Sequence, residues 1–239
     1  MTKRIPLIFS ALAAMTAAAQ AHGIWVAQRH GDLAVIYGHG AGDEPYEPEK
    51  IKAAVSYLAS GETRDAKIVP QAKNALIEPA KGATSLTVVL DNGIWTKGAD
   101  GKSVNKPKRD VPDAQLASHA IKINTTVLAG GGEPKPSGLG LEIVPLVDPM
   151  RLKMGDDLPV QVLSEGRPLP GVSLNTDYVN DPHAKSDKTD ADGRVTLFIR
   201  NDGLNVIGVA HVAKTPGNPE VDQVGYFATL SFTLPHEED

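Results

Sequence analysis

Leu158, Val160 and Val162 alternate with polar or proline neighbours, and short runs of this kind recur along the chain between glycine, proline and asparagine punctuation. Alternation at every second residue buries one face of an extended strand, whereas a helix needs apolar residues three and four apart. The pattern therefore commits the chain to strands. In the first half, residues 33–37, 66–69, 75–78, 85–90 and 116–128 read as strands. Residues 49–58 have a composition that also allows a helix, and Val55, Tyr57 and Leu58 ahead of Ser60 and Gly61 tip them to strand. From 141 onward, segments 141–145, 158–162, 172–174, 195–199, 206–209 and 228–234 follow one another at turn-spaced intervals. Such spacing indicates a β-sandwich of immunoglobulin-like or transthyretin-like type. The expected fold is all-β, with two β-sandwich domains, 22–140 and 141–239, after a leading segment 1–21.

The connections carry their own signals. Asp91-Asn92-Gly93 reads as a tight turn, and Trp95 beyond it as a core anchor whose indole nitrogen finds a partner. Residues 97–113 are polar and rich in glycine and proline, an exposed connection. Residues 129–138 lack the Gly-Lys-Ser/Thr ending of a phosphate-cradling loop and read as a flexible loop or lid at the domain boundary. Residues 189–194 lack the 12-residue framework and closing glutamate of a calcium loop and read as a hairpin turn, with Gly193 at positive φ.

Residues 1–21 have the parts of an export signal: Lys3 and Arg4, an apolar run over 5–19, and the small residues Ala19 and Ala21 two apart. That run, about 15 residues, falls short of the roughly 20 a spanning helix needs. No later segment approaches such a length, so the processed protein is expected not to be embedded in a membrane. The chain has no cysteine. Export without disulfides or a lipid-anchoring cysteine points to a periplasm. Taking Lys3 and Arg4 from the 24 basic residues leaves 22 against 29 acidic ones, a net charge of −7. With no basic face or ladder of stacking aromatics, a nucleic-acid partner is not expected.

Cleavage after Ala21 would make His22 the first residue. A terminal histidine offers its α-amine and ring Nδ1 to one metal ion in a six-membered chelate that an internal histidine cannot form. With reference pKa values of about 7.7–8.0 for the amine and about 6.5 for imidazole, a divalent transition metal displaces both protons near neutral pH. The competing reading is that His22 suits the processing peptidase and then frays in solvent. Three further histidines are candidate donors. His39 comes first, because it ends the strand 33–37 and that strand can return antiparallel to 24–28. His211, on a strand past Val209 and Ala210, comes second, and His183, in the loop Asn180-Asp181-Pro182-His183, third. Asp43 and Glu44 are the carboxylates in reserve. His119 reads as an edge histidine with a structural role.

His22-Gly-Ile-Trp25, Tyr37-Gly-His39-Gly, Asp91-Asn-Gly-Ile-Trp95, Leu141-Glu-Ile-Val-Pro145, Gly166-Arg-Pro-Leu-Pro-Gly171, Thr189-Asp-Ala-Asp-Gly193 and Ala228-Thr-Leu-Ser-Phe232 together resemble the DUF4198 family over nearly all of the processed chain. The resemblance implies a periplasmic protein of the kind described as the substrate-binding component of nickel or cobalt uptake systems, with the terminal histidine as a ligand. The expected function is non-catalytic capture of Ni²⁺ or Co²⁺, with Cu²⁺ or Zn²⁺ as further candidates, and delivery to a membrane metal transporter. Imidazole and amine donors suit all four ions, and affinity order alone favours copper. A second reading is a copper enzyme with a histidine brace resembling lytic polysaccharide monooxygenases, which needs a flat aromatic face that a chain with 5% aromatic residues supplies poorly. A third is an interaction sandwich without metal.

Overall fold

The computed structural model describes residues 22–132 and 135–235, and the export signal read at 1–21 lies outside them. In chain order the first strands are β1 (Gly23–Arg29), β2 (Asp32–Gly38), β3 (Ile51–Leu58), β4 (Thr63–Asp65), β5 (Lys67–Pro70), β6 (Ala75–Glu78), β7 (Ala83–Lys97), β8 (Ser103–Val104) and β9 (Leu116–Val127). They continue as β10 (Leu141–Pro145), β11 (Asp157–Ser164), β12 (Arg167–Pro168), β13 (Ser173–Asp177), β14 (Asp181–Lys188), β15 (Arg194–Phe198), β16 (Leu204–Lys214) and β17 (Gln223–Thr233). The fold is all-β, as the alternation requires, and residues 49–58 are chiefly strand. Among the described residues no helix is long and apolar enough to cross a membrane.

Three sheets make up the molecule. A small sheet has the order β1-β2-β6-β5, and a second joins β10, β11, β12 and β15 around β11. Between them runs a nine-stranded sheet, β14-β13-β16-β17-β9-β7-β3-β4, with β8 on β7. Its centre is a parallel pairing of β17 with β9, from Gln223 opposite Ser118 to Phe232 opposite Val127. The last strand of the chain thus pairs with one from before residue 140, and the sheet runs unbroken across the 140/141 position.

Residues of β17 alternate between the two flanking sheets. Ala228, Leu230 and Phe232 pack with Leu141, Ile143, Leu158, Val160 and Val162 of the second sheet. Phe227, Thr229 and Ser231 face the other way, toward β1. There β1 is buried on both of its faces. Ile24 and Val26 enter a core with Val35, Leu86, Val88 and Leu90, while Trp25 and Ala27 enter another with Ile36, Tyr178, Val206 and Phe227. The small sheet therefore meets the large one along β1 and wedges its two faces against the two halves.

A buried polar layer receives that edge. The Thr229 hydroxyl donates to the Ile24 carbonyl and the Ser231 hydroxyl to that of Val26. Asn124 donates to both hydroxyl oxygens, at 2.9 and 3.0 Å, and accepts from Thr126 at 2.6 Å. Asn124, Thr126, Thr229 and Ser231 are all buried. Each bond contributes only about 1 kcal/mol, but leaving such a group unpaired costs about 1–3 kcal/mol.

Several local expectations change. Asp91-Asn92-Gly93 is a bulge within the single long strand β7, not a turn: the register with β9 shifts between Asp91 and Ile94, and Gly93 supplies φ +82°. The turn at 190–194 closes through Asp190, with Gly193 at φ +72°, but it joins β14 to β15, strands of different sheets, so it is a crossover and not a hairpin. Trp95 is half-buried with its indole donating to the Asn92 carbonyl, and the fully buried anchor is Trp25. The basic stretch 106–109 is neutralised in part by Lys108–Asp222 and Arg109–Glu220 ion pairs. The glycine-rich segment is tied at both described ends, Gly131 N–H donating to Asp148 and Ser137 and Gly138 to the buried Glu142 carboxylate.

Thr229→Val keeps shape but removes the donor to Ile24 and the acceptor for Asn124, two buried partners. Urea unfolding is expected to show a loss of about 1–3 kcal/mol. A change under about 0.5 kcal/mol, the size of an ordinary surface substitution, would show that the polar layer does not hold β1.

Candidate metal site

The β1–β2 hairpin sets the site. His30 and Gly31, both at positive φ, form its two-residue turn, and the register then runs from Arg29 opposite Asp32 to Gly23 opposite Gly38. This is the pairing expected of 24–28 with 33–37, and it returns His39 beside His22. The rings of His22 and His39 stand 6.4 Å apart between centroids. Past β2 the chain folds back sharply: Gly42 N–H donates to the His39 carbonyl and Glu44 N–H to that of Tyr37. A Cβ on Gly38 would lie 2.1 Å from the Gly42 carbonyl oxygen, so only glycine permits this turn.

The turn delivers Glu44 to His22, whose Nε2 is 2.8 Å from the Glu44 carboxylate. Tyr37 stacks on the His22 ring at 5.3 Å between centroids and 14° between planes. Its hydroxyl accepts a bond from the Asn92 side-chain amide at 3.3 Å, and Lys50 donates to the Oδ1 of that same amide at 2.9 Å. The β7 bulge thus turns Asn92 toward Tyr37 and buttresses the ring under His22. Burial, and then the Glu44 charge, push the Tyr37 phenol above its ordinary value, and the Asn92 bond partly offsets them.

The third wall comes from the other half of the chain. His183, at the start of β14, is exposed, with its ring 6.3 Å from that of His39. The segment before it packs down: Val179 and Pro182 lie over Gly40, and the Tyr178 hydroxyl donates to the Gly38 carbonyl. Tyr178 also meets His39 and Trp25 edge-on, at 5.7 and 6.0 Å. Burial raises its phenol pKa strongly.

Three of the four histidines named from sequence, His22, His39 and His183, are therefore neighbours, with the third-ranked in place of the second. His211 is not among them. On β16 it lies two residues beyond Val209 and four beyond Ile207, which face the β10–β11 sheet, and it pairs with Tyr226, which packs on the same side. Alternation puts His211 on the face of the large sheet away from β1. His119, read as structural, binds Asp91 at 2.8 Å beside the bulge. Nothing in the sequence marks Tyr37, Asn92 or Tyr178 as site residues, because stacking and the bulge become visible only when the strands pair. Among the described residues no three His, Asp or Glu side chains converge at bonding distance on one point. A cavity of about 290 Å³ beside β3 and β7, lined by Tyr57, Thr84, Ser85 and Lys135, shares no residue with the cluster.

Gly38→Ala is expected to force the 38–42 turn open, costing about 1–3 kcal/mol as overpacking does, and to move the imidazole resonances of both His22 and His39. Unmoved resonances would mean that the turn does not position them.

Similarity to known proteins is limited but extends along the chain. An uncharacterized protein of Haemophilus influenzae is 25% identical over 233 residues, spanning 95% of this chain and 97% of that protein. No solved structure matches. The profile of a domain of unknown function, DUF4198, matches residues 19–213 and so includes His22, His39, His183 and His211. The chain belongs to the DUF4198 family.

Proposed function

We propose that the processed protein captures a transition-metal ion through the α-amine and Nδ1 of His22, with His39 and His183 as further donors. The observation that carries this reading is the bond from His22 Nε2 to Glu44. A carboxylate on one ring nitrogen fixes the tautomer, raises the basicity of the ring and leaves the other nitrogen for a metal. Here the nitrogen left over is Nδ1, the one that can close a chelate with a terminal amine. Cleavage after Ala21, in the part of the chain outside the described residues, is what would supply that amine.

The spacing of the rings also suits the reading. With metal–nitrogen bonds of about 2.0–2.1 Å, two imidazoles on one ion have centroids up to about 6.4 Å apart. His22 with His39, at 6.4 Å, and His39 with His183, at 6.3 Å, stand at that outer limit, which only trans rings reach, so both pairs would have to close in to share one ion. All the donors are nitrogen, which suits Ni²⁺, Co²⁺, Cu²⁺ and Zn²⁺ alike. Residues 1–21 and the family suit a periplasmic carrier that passes its ion to a membrane transporter.

Calorimetry with Ni²⁺ on protein beginning at His22 tests the reading. Retaining one residue ahead of His22, or substituting His39 or His183 by Ala, is expected to weaken binding by tens-fold, and Glu44→Gln by about 10–100-fold. His211→Ala is expected to bind as the parent does. Equal affinity with and without the extra residue would remove the terminus from the site, and loss on His211→Ala alone would move the site to the other face.

A further inference from the structure

The face of the large sheet that carries the β10–β11 core extends past it. Tyr57, Ser85 and Val127 lie in one row across β3, β7 and β9, and of the three it is Val127 that packs against that core. Next to the rest of the row runs the segment after β9. Leu128 and Ala129 N–H donate to the Thr84 carbonyl, and a Cβ on Gly132 would stand 2.5 Å from the Thr84 hydroxyl oxygen, so the segment crosses β7 in contact. Beside it lies the cavity of about 290 Å³, whose lining includes Tyr57, Leu58, Gly61, Thr84, Ser85 and Lys135. A smaller hollow of about 30 Å³ shares Thr84, Ser85 and Lys135 with it and reaches Glu142 and Asp148.

The two hollows differ in charge. Lys135 lines both, and a Cβ on Gly61 would lie 3.4 Å from its Nζ, so its side chain reaches from the segment to the turn after β3. Among the described residues no carboxylate pairs with it. Glu142 and Asp148 line only the smaller hollow. The buried Glu142 carboxylate accepts the N–H groups of Ser137 and Gly138 at 2.6 and 2.9 Å and the Ser137 hydroxyl at 2.8 Å. Asp148 accepts the N–H groups of Gly131 and Met150, each at 3.0 Å, and lies 3.5 Å from the Arg151 guanidinium. These bonds hold both carboxylates in place, and with about four lone-pair sites each they retain capacity for a further donor. The Thr84 hydroxyl donates to the Tyr57 carbonyl at 3.2 Å, which leaves its oxygen free to accept.

A small anion in this space would meet Glu142 and Asp148, and a small cation would meet Lys135. A molecule carrying both charges finds a partner for each, which is what a charge leaving water requires. The sizes agree: a water molecule takes up about 30 Å³ of liquid, so the smaller hollow admits one group the size of an ammonium and the larger one the rest of a molecule of roughly ten non-hydrogen atoms or fewer. We propose that this cavity is a binding site for a small α-amino acid held as its zwitterion, with the carboxylate on Lys135 and the Ser85 hydroxyl and the ammonium in the smaller hollow beside Glu142 and Asp148. The site shares no residue with the histidine cluster, so it stands or falls apart from metal capture.

The probe is L-serine, compared with 3-hydroxypropionate, which lacks the amine, and ethanolamine, which lacks the carboxylate. Each is titrated to millimolar concentration into isotope-labelled, metal-free protein beginning at His22, so that serine has no ion to chelate, and the amide resonances are followed. L-serine is expected to move the amides of Gly61, Ser85 and Gly131. The two fragments are each expected to bind at least about tenfold more weakly, the loss of one charge-assisted bond. Lys135→Met removes an exposed ammonium while keeping the length of the chain. It is expected to weaken L-serine by about tenfold and not to weaken ethanolamine. Shifts absent from these amides, either fragment binding as tightly as L-serine, or a Lys135→Met protein that binds L-serine as the parent does would overturn the proposal.

Discussion

The structure depends on the burial of one edge strand on both faces. Every other residue of β1 enters a different core, Ile24 and Val26 on one side, Trp25 and Ala27 on the other. A strand so placed has carbonyls directed at the neighbouring sheet with no strand to pair them, and unpaired buried carbonyls are costly. Thr229 and Ser231 remove that cost for Ile24 and Val26, and Asn124 holds both hydroxyls in place. Because β17 and β9 pair in parallel, the residues that receive β1 come from both ends of the chain. The strand is in effect the keel on which the two halves meet.

That arrangement fixes the surroundings of His22, which precedes five buried residues and lies against Tyr37 and Glu44. The hairpin brings His39, and the seam between the halves brings Tyr178 and His183. Tyr37 and His183 sit on strands β2 and β14, and His39 and Glu44 follow directly from the end of β2. If the site captures an ion as proposed, such positioning leaves little ordering to be done on binding.

Much of this was legible in the chain because alternation is local. The strand class, the antiparallel return of 33–37 onto 24–28 and the placing of His39 at a strand end all follow from periodicity and a short turn. Asn92 and His211 show where local reading stops. Asp91-Asn92-Gly93 has the composition of a turn, and only the long pairing of β7 with β9 converts it into a bulge that aims Asn92 at Tyr37. His211 sits on a strand as expected, yet which face it occupies depends on the packing of Ile207 and Val209 against distant residues. The parallel pairing of β17 with β9 has no local signal either, since the strands are about a hundred residues apart in sequence and meet through non-local contacts. The same non-local dependence places His183, not His211, beside His39.

The metal reading stands on geometry: Nε2 of His22 engaged by Glu44, Nδ1 left beside the amine that processing would expose, and His39 and His183 at the rim. Its most direct test is a crystal structure of protein beginning at His22 and loaded with Ni²⁺. The account predicts an ion bound by the α-amine and Nδ1 of His22, with Nε2 still bonded to Glu44. An ion on Nε2 with Glu44 displaced, or one held on the His211 face away from the terminus, would contradict it.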